Sequence, residues 1–272
     1  MGLKSTAGGA LRPTNRAFLS QRGEDVSRYV WLTGLVKDLL VLDAGCGYGI
    51  GTSYIGNQSS REIIGVDIDG EAVLHAKQNF SQHNATFLPM DATAMAFRPA
   101  AFDAVISFEV IEHLNDARSY VSEIHRILKP KGFLVISSPN KHRTKLLHKD
   151  GTPANPHHVR EFFPDEMASL LSPPLKIETV YAQSHKDDQD GDLTEMEIRR
   201  ELYAQSCLAP RTFRKLLPDF IKNSWLSFLG RYAPNPSYMG AWNSFQIERI
   251  PSLSELANPK YRVQIYLCRK TD

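Results

Sequence analysis

Apolar residues in this chain alternate between two patterns. Short continuous runs, of the kind a buried strand requires, are followed by stretches in which apolar positions recur every three to four residues. The first run, 39–42, ends in Asp43 and breaks into glycines at Gly45, Gly47, Gly49 and Gly51. That sequence predicts a strand, a tight turn and a helix starting near Ile50. Further strands are expected within 62–69, 86–93, 102–114 and 128–140, the third of these running on into a turn and the last beginning with a helix end and a turn. Helical periodicity covers 24–37, 50–57, 71–83, 117–128 and 165–171. In the first of these, Val26, Tyr29, Val30, Leu32 and Leu35 supply the apolar face. Residues 174–184 and 261–269 read as a sixth and a last strand. Strands alternating with helices predict a parallel sheet covered on both faces.

The organisation expected is an N-terminal segment and helix over 1–38, and a core over 39–184 and 259–272. The intervening 185–258 is an insertion that leaves one sheet and returns to it. Its start, 185–192, is acidic and turn-rich; 193–205 and 210–230 read as helical, and 233–258 as an irregular cap. Long insertions in compact domains are often functional, and a lid over a cleft is the expected role.

The glycine turn is the most informative local feature. Glycine lets backbone approach a ligand closely, and a helix start offers unpaired N–H groups. A dinucleotide fingerprint needs Gly-x-Gly-x-x-Gly. Counting from Gly45 the third glycine position holds Ile50, and from Gly47 it holds Thr52, so both registers fail. The P-loop pattern also fails, for want of the Gly-Lys-Ser/Thr that closes it. Asp67 ends the second predicted strand about 20 residues past the glycines, where a Rossmann-like unit places its ribose-binding carboxylate. Asp69 is placed to cap the helix that follows.

The Asp43-x-Gly45-x-Gly47-x-Gly49 run resembles motif I of the class I S-adenosylmethionine-dependent methyltransferases. Residues 62–69, 86–93, 102–114 and 128–140 resemble that family's later motifs, in the family's order. The resemblance runs from Asp43 to about Met167 and is thin before Val30 and after His185. It implies an α/β, Rossmann-like, doubly wound seven-stranded sheet, mostly parallel with the last strand antiparallel. It implies S-adenosylmethionine as cofactor, contacted by Asp43, Gly45, Cys46, Gly47, Gly49, Asp67, Ile68, Met90, Asp91, Ala92 and Phe108. Asp67 would take the ribose hydroxyls, Asp91 the adenine amino group, and Ile68 and Met90 the faces of the base. The helix over 24–37 would border the cofactor pocket.

Composition narrows the classes further. The chain has 272 residues, 42% hydrophobic and 23% charged, which suits one globular core plus an accessory region. A net charge of +2 supplies no global field toward nucleic acid or membrane. The 3 cysteines, Cys46, Cys207 and Cys268, are scattered without metal spacing, and a reduced cytoplasmic compartment is expected. No apolar run approaches a membrane span, and residues 1–9 lack a signal-peptide core. The first six residues match the short N-myristoylation pattern, on which nothing is built. A small-molecule acceptor is the expected partner; nucleic acid is not expected, and oligomeric state is left open.

The methyl group of a sulfonium is already activated, so a transferase must place a nucleophile behind it and, for a hydroxyl, take its proton. The candidates are Glu109, Glu112 and His113, at i, i+3 and i+4 spacing, expected to share one face of a helical turn. His113 titrates near neutrality and is the natural base. The Glu-x-x-Glu-His spacing resembles segments of the small-RNA 2′-O-methyltransferases and of the ubiquinone-biosynthesis O-methyltransferases. That resemblance implies a divalent site, Mg2+ or another cation, on Glu109, Glu112, His113 and His158. Glu-His at this turn is also widespread among methyltransferases that use no metal. The run 157–162 further resembles methyltransferases acting on sugars and glycan precursors, with His157 or His158 facing the acceptor.

The expected activity is O-methylation of a small-molecule hydroxyl, on a sugar, glycan precursor or polyhydroxylated metabolite, with His113, His158 and Glu112 as the catalytic group. The competing readings are metal-dependent 2′-O-methylation of RNA, a catalytically silent binding module, an oxidoreductase disfavoured by the failed fingerprint, and aminopropyl transfer.

Overall fold

The structure is a computed structural model that describes residues 16–58, 60–81, 84–143, 153, 155, 157–185 and 245–271, with side chains from Glu24 onward. The helices expected at 193–205 and 210–230 lie outside the described residues.

Helix α1 (Arg16–Leu32) precedes strand β1 (Leu40–Ala44), and then come α2 (Ile50–Gln58), β2 (Glu62–Asp67), α3 (Gly70–Phe80) and β3 (Ala85–Pro89). The second half holds β4 (Phe102–Phe108), a 3-10 turn (Ile111–His113), α4 (Ala117–Ile127), β5 (Leu128–Pro139) and α5 (Pro164–Leu171). Strand β6 (Leu175–His185), β7 (Phe245–Ile250), a second 3-10 turn (Leu253–Ala257) and β8 (Val263–Lys270) complete the order.

The sheet runs β3-β2-β1-β4-β5-β8-β6-β7. Strands β1 to β5 pair in parallel, β8 lies antiparallel between β5 and β6, and β7 is antiparallel to β6. The mostly parallel Rossmann-like α/β class is as expected; the described residues form eight strands where seven were expected. The extra strand comes from the stretch read as irregular cap. Within it, Phe245 to Ile250 pairs with β6 from His185 back to Val180, Ile250 is buried, and Ile247 packs on the core. Its alternation covers only six residues, and the Pro, Asn and Ser around it masked the period.

Strand alternation sends side chains to both faces. On one face Leu42, Ala44 and Val105 meet Tyr120, Val121, Ile124 and Ile127 of α4 and Met167 and Leu171 of α5. On the other, Val41, Ala104 and Ile106 meet Tyr29 and Leu32 of α1, Ile55 of α2, and Val73 and Ala76 of α3. Helix α1 starts earlier than predicted and ends at Leu32, short of Lys37. Asp69 caps α3, accepting from Glu71 N at 2.9 Å and Ala72 N at 3.3 Å. Asp116 caps α4 through Ser119 N at 3.0 Å. These caps satisfy helix-start donors at the carboxyl edge of the sheet, where ligands bind in such folds.

Candidate active site

The turn after β1 is built from left-handed backbone: Gly45, Gly47 and Gly49 have φ of 88°, 51° and 81°. Each glycine meets a different environment. A Cβ on Gly45 would strike Val110, and one on Gly49 would strike Ala76 and Phe87, so these two serve packing. A Cβ on Gly47 would meet nothing within 4 Å. Gly47 is therefore the open face of the turn. Its N–H donates to Asp67 Oδ2 at 2.8 Å, and Asp69 N–H donates to Asp67 Oδ1 at 2.9 Å. Each oxygen keeps a further lone pair for a ligand. Burial pushes the Asp67 carboxyl above its usual range, although the backbone donors of Asp69 and Gly47 oppose this.

Beside Asp67, Ile68 is 69% exposed, an apolar side chain left to cover a ligand. Met90 N–H donates to the Asp67 carbonyl at 2.9 Å, so the third strand's exit is tied to the second's. Asp91 is exposed and uses Oδ1 to hold Thr93 N and Oγ1, at 2.8 and 2.7 Å, while Ala92 is buried. An open glycine, a tethered carboxylate and an exposed apolar neighbour fit an adenosyl donor. The group would be held by Gly47, Asp67, Ile68 and Met90, with Asp91 at the rim.

Three residues expected at this site, Asp43, Cys46 and Phe108, are buried. Asp43 is wholly buried and accepts from Thr52 Oγ1 at 2.6 Å and from the Tyr29 hydroxyl at 3.2 and 3.1 Å. Burial raises its pKa to about 6, against the lowering effect of those hydroxyls. It ties β1 to α1 and α2. Cys46 is a free, buried thiol beneath Gly65, and its N–H and that of Gly45 both donate to the Val66 carbonyl. Phe108 is buried edge-on to Tyr29, with centroids 5.2 Å apart.

The turn after β4 departs from the expected helical face. Glu109 has φ of 56°, and the 3-10 turn covers only Ile111–His113. The left-handed residue breaks the i, i+3, i+4 relation of a continuous helix, although Glu109 stays near enough to act electrostatically on Glu112. Glu109 Oε1 accepts from Ser137 Oγ at 2.7 Å. Burial raises the Glu109 pKa, and the Arg28 guanidinium opposes that rise. Arg28 itself is buried, donating to Gln183 Oε1 at 2.6 Å and Asp25 Oδ1 at 2.5 Å.

Glu112 is fully buried and neither carboxyl oxygen has a hydrogen-bond partner. Burial, and then the charge of Glu109, hold its pKa well above the carboxylate range. Its backbone carbonyl accepts from Val159 N at 2.8 Å and Arg160 N at 3.1 Å, which brings the 157–161 segment onto the turn. His113 Nδ1 meets the His157 carbonyl at 3.0 Å. A carbonyl only accepts, so Nδ1 carries the proton and Nε2 the lone pair. Burial lowers the His113 pKa, so the ring is neutral at pH 7. His157 is exposed. His158 packs edge-on against His113, with centroids 4.8 Å apart.

Donor atoms of Glu112, His113 and His158 lie within 4.8 Å of one another. Glu109, the fourth ligand expected, stands outside that group. Arg28, Tyr29, Thr52 and Ser137 were not among the expected site residues. The α1 pattern gave Tyr29 only as apolar, and no spacing linked these residues to the site.

Residues 42–136 match the family model of the methyltransferase domain. Over 131 residues the chain is 37% identical to a protein of Mycobacterium tuberculosis named a probable S-adenosylmethionine-dependent methyltransferase, covering 48% of this chain and 46% of that protein. It is 29% identical over 168 residues to the mitochondrial ubiquinone biosynthesis O-methyltransferase of Rattus norvegicus, covering 53% of this chain and 46% of that one. The chain thus spans about half the length of the curated relatives it matches. Among solved structures, an S-adenosylmethionine-dependent methyltransferase from Mesorhizobium loti superposes with a TM-score of 0.52 at 12% identity, covering 91% of this chain and all of that one. The (4+2)-cyclase SpnF gives 0.56 at 17% identity, covering 92% and 80%. Residues 42–136 thus resemble a methyltransferase domain, on an α/β fold shared with solved methyltransferases. Among the described residues, no helix is long and apolar enough to cross a membrane.

Proposed function

We propose that the protein transfers a methyl group from S-adenosylmethionine to a hydroxyl of a small molecule, such as a sugar, glycan precursor or polyhydroxylated metabolite. One observation carries this reading: the open Gly47 face and its tethered Asp67 share the sheet's carboxyl edge with His113, whose Nε2 lone pair is free of the His157 contact. The rat relative's name, an O-methyltransferase, supports oxygen as the acceptor atom.

S-adenosylmethionine supplies a methyl group already activated on a sulfonium. The chain's residues bind and orient. Asp67 accepts from the ribose hydroxyls, and Ile68 and Met90 cover the base. His113 Nε2 receives the proton of the acceptor hydroxyl, since a neutral imidazole is a competent base at pH 7. Glu112, sealed from solvent, acts through its backbone carbonyl by holding the 157–161 segment in place. Incubating the full chain with methyl-labelled donor and a panel of hydroxylated metabolites tests the reading. Label on an oxygen is the expected outcome; label confined to nitrogen or carbon acceptors, or none at all, contradicts it. A catalytically silent module would bind the donor and transfer nothing.

A second reading has its own observation. The unpartnered, buried carboxyl of Glu112 lies beside His113 and His158, and a divalent cation held there, for which Asn155 would have to release His158 Nε2, would stabilise the ionised acceptor oxygen. It is also the feature that would go with 2′-O-methylation of RNA. Activity abolished by a chelator and restored by Mg2+ or Mn2+ favours it; full activity in chelator excludes it.

A further inference from the structure

His158 is held from both ends by partners of opposite kind. Its Nδ1 lies 2.9 Å from Glu161 Oε1, and its Nε2 lies 3.0 Å from Asn155 Nδ2. The carboxylate accepts, so Nδ1 donates. The amide nitrogen donates, so Nε2 accepts. The orientation of the Asn155 amide is itself fixed, because its Oδ1 accepts from His157 N–H at 3.0 Å. Turning the amide over would lose that bond and set two acceptors face to face. Glu161 is only 4% exposed and the His158 side chain only 10%, so water competes poorly for either contact. Three consecutive constraints therefore specify one form of the ring: proton on Nδ1, lone pair on Nε2.

We propose that Glu161 and Asn155 are positioning residues that lock His158 in this tautomer, next to the base. The inference rests on the methyltransferase reading above. His157 lies between the two rings in the network: its carbonyl orients His113 and its N–H orients the Asn155 amide. Both imidazoles thereby carry the proton on Nδ1 and present Nε2. One peptide loop sets the tautomer of both, and Asn155 covers the Nε2 of His158 while that of His113 stays available. His158 then contributes a fixed ring edge against His113 rather than a second, competing base.

Outer partners of this kind usually change activity about 10–100-fold when removed. The test uses the full chain with nitrogen-15 in its histidines, because imidazole nitrogen shifts separate the two tautomers. The wild-type protein is expected to show His158 protonated on Nδ1. In Glu161→Ala, where only the Asn155 amide still favours a lone pair on Nε2, the Nδ1-protonated form is expected to lose its exclusive hold and the spectrum to show both tautomers in exchange, kcat to fall about 10–100-fold, and the affinity for S-adenosylhomocysteine to stay the same. Glu161→Asp is expected to recover the tautomer and most of the rate. Asn155→Ala, a change at a partly exposed residue, covers the case in which Glu161→Ala fails to fold; it is expected to leave the Nδ1 proton bonded to Glu161, to shift the Nε2 resonance as its donor is lost, and to lower kcat by uncovering a second lone pair beside that of His113. A wild-type His158 protonated on Nε2 overturns the proposal, as do variants that leave both tautomer and kcat unchanged. Wild-type protein that methylates nothing would overturn the methyltransferase reading instead, since the nitrogen spectrum needs no acceptor.

Discussion

The Gly47 amide donates to Asp67 Oδ2 across 2.8 Å, joining the first turn of the sheet to the acid that ends the neighbouring strand. The bond spans 20 residues of sequence and makes one unit of two motifs. It orients a carboxylate toward the one glycine of the turn that has open space in front of it. A donor seated there meets a surface already arranged, so little ordering is left to the moment of binding.

Gly47 and Gly51 separate ligand from packing. Gly47→Ala places a methyl in open space at a φ of 51°, a strain of roughly 1–2 kcal/mol. Gly51→Ala drives a Cβ into the Tyr29 ring, where α1 docks on α2. Thermal melts and donor titrations are expected to show Gly47→Ala folded with impaired donor binding, and Gly51→Ala losing the greater stability. Equal donor affinity in Gly47→Ala and wild type would contradict the placement.

Asp43 predicts a pH dependence. Its pKa in the fold is about 6, above the 3.8 of an ordinary aspartate, because burial disfavours the charge. The folded state therefore holds the proton more tightly. The resulting stability is present below pH 4 and is lost as pH rises through about 6, by at most about 3 kcal/mol. Denaturant unfolding of wild type and Asp43→Asn between pH 4 and 7 is expected to show wild type losing ground over that window and then a plateau. A pH-independent difference would count against it.

His113→Ala is expected to lower kcat by about 100-fold or more, the range of a lost general base, with donor affinity unchanged. Because burial lowers the His113 pKa, wild-type kcat/KM is expected to hold through pH 6.5 and fall only below it. A rate unaffected by the substitution removes His113 from the mechanism.

The sequence made legible what is local. The glycine turn, Asp67 at its strand end and Asp69 as a cap are each set by neighbours within a few residues. The parallel order of the core follows from the alternation of apolar runs. The support of the site was not legible, because it is built across the chain: Tyr29 reaches Asp43 over 14 positions, Ser137 reaches Glu109 over 28, and Arg28 reaches Gln183 over 155. Glu109 was misplaced for a different reason. Residue spacing assumes continuous helix, and a single left-handed φ at Glu109 voids it. His158 was preferred to His157 by its match to the motif, and its contacts with Glu161 and Asn155 became visible only in the fold.

The most direct measurement is a calorimetric titration of the full chain with S-adenosylmethionine, repeated on Asp67→Ala. The account predicts saturable one-to-one binding by the wild type. It predicts an affinity about 10–100-fold weaker in the variant, the cost of hydrogen bonds to a charged group. No heat at millimolar donor, or identical affinity in both proteins, would contradict it.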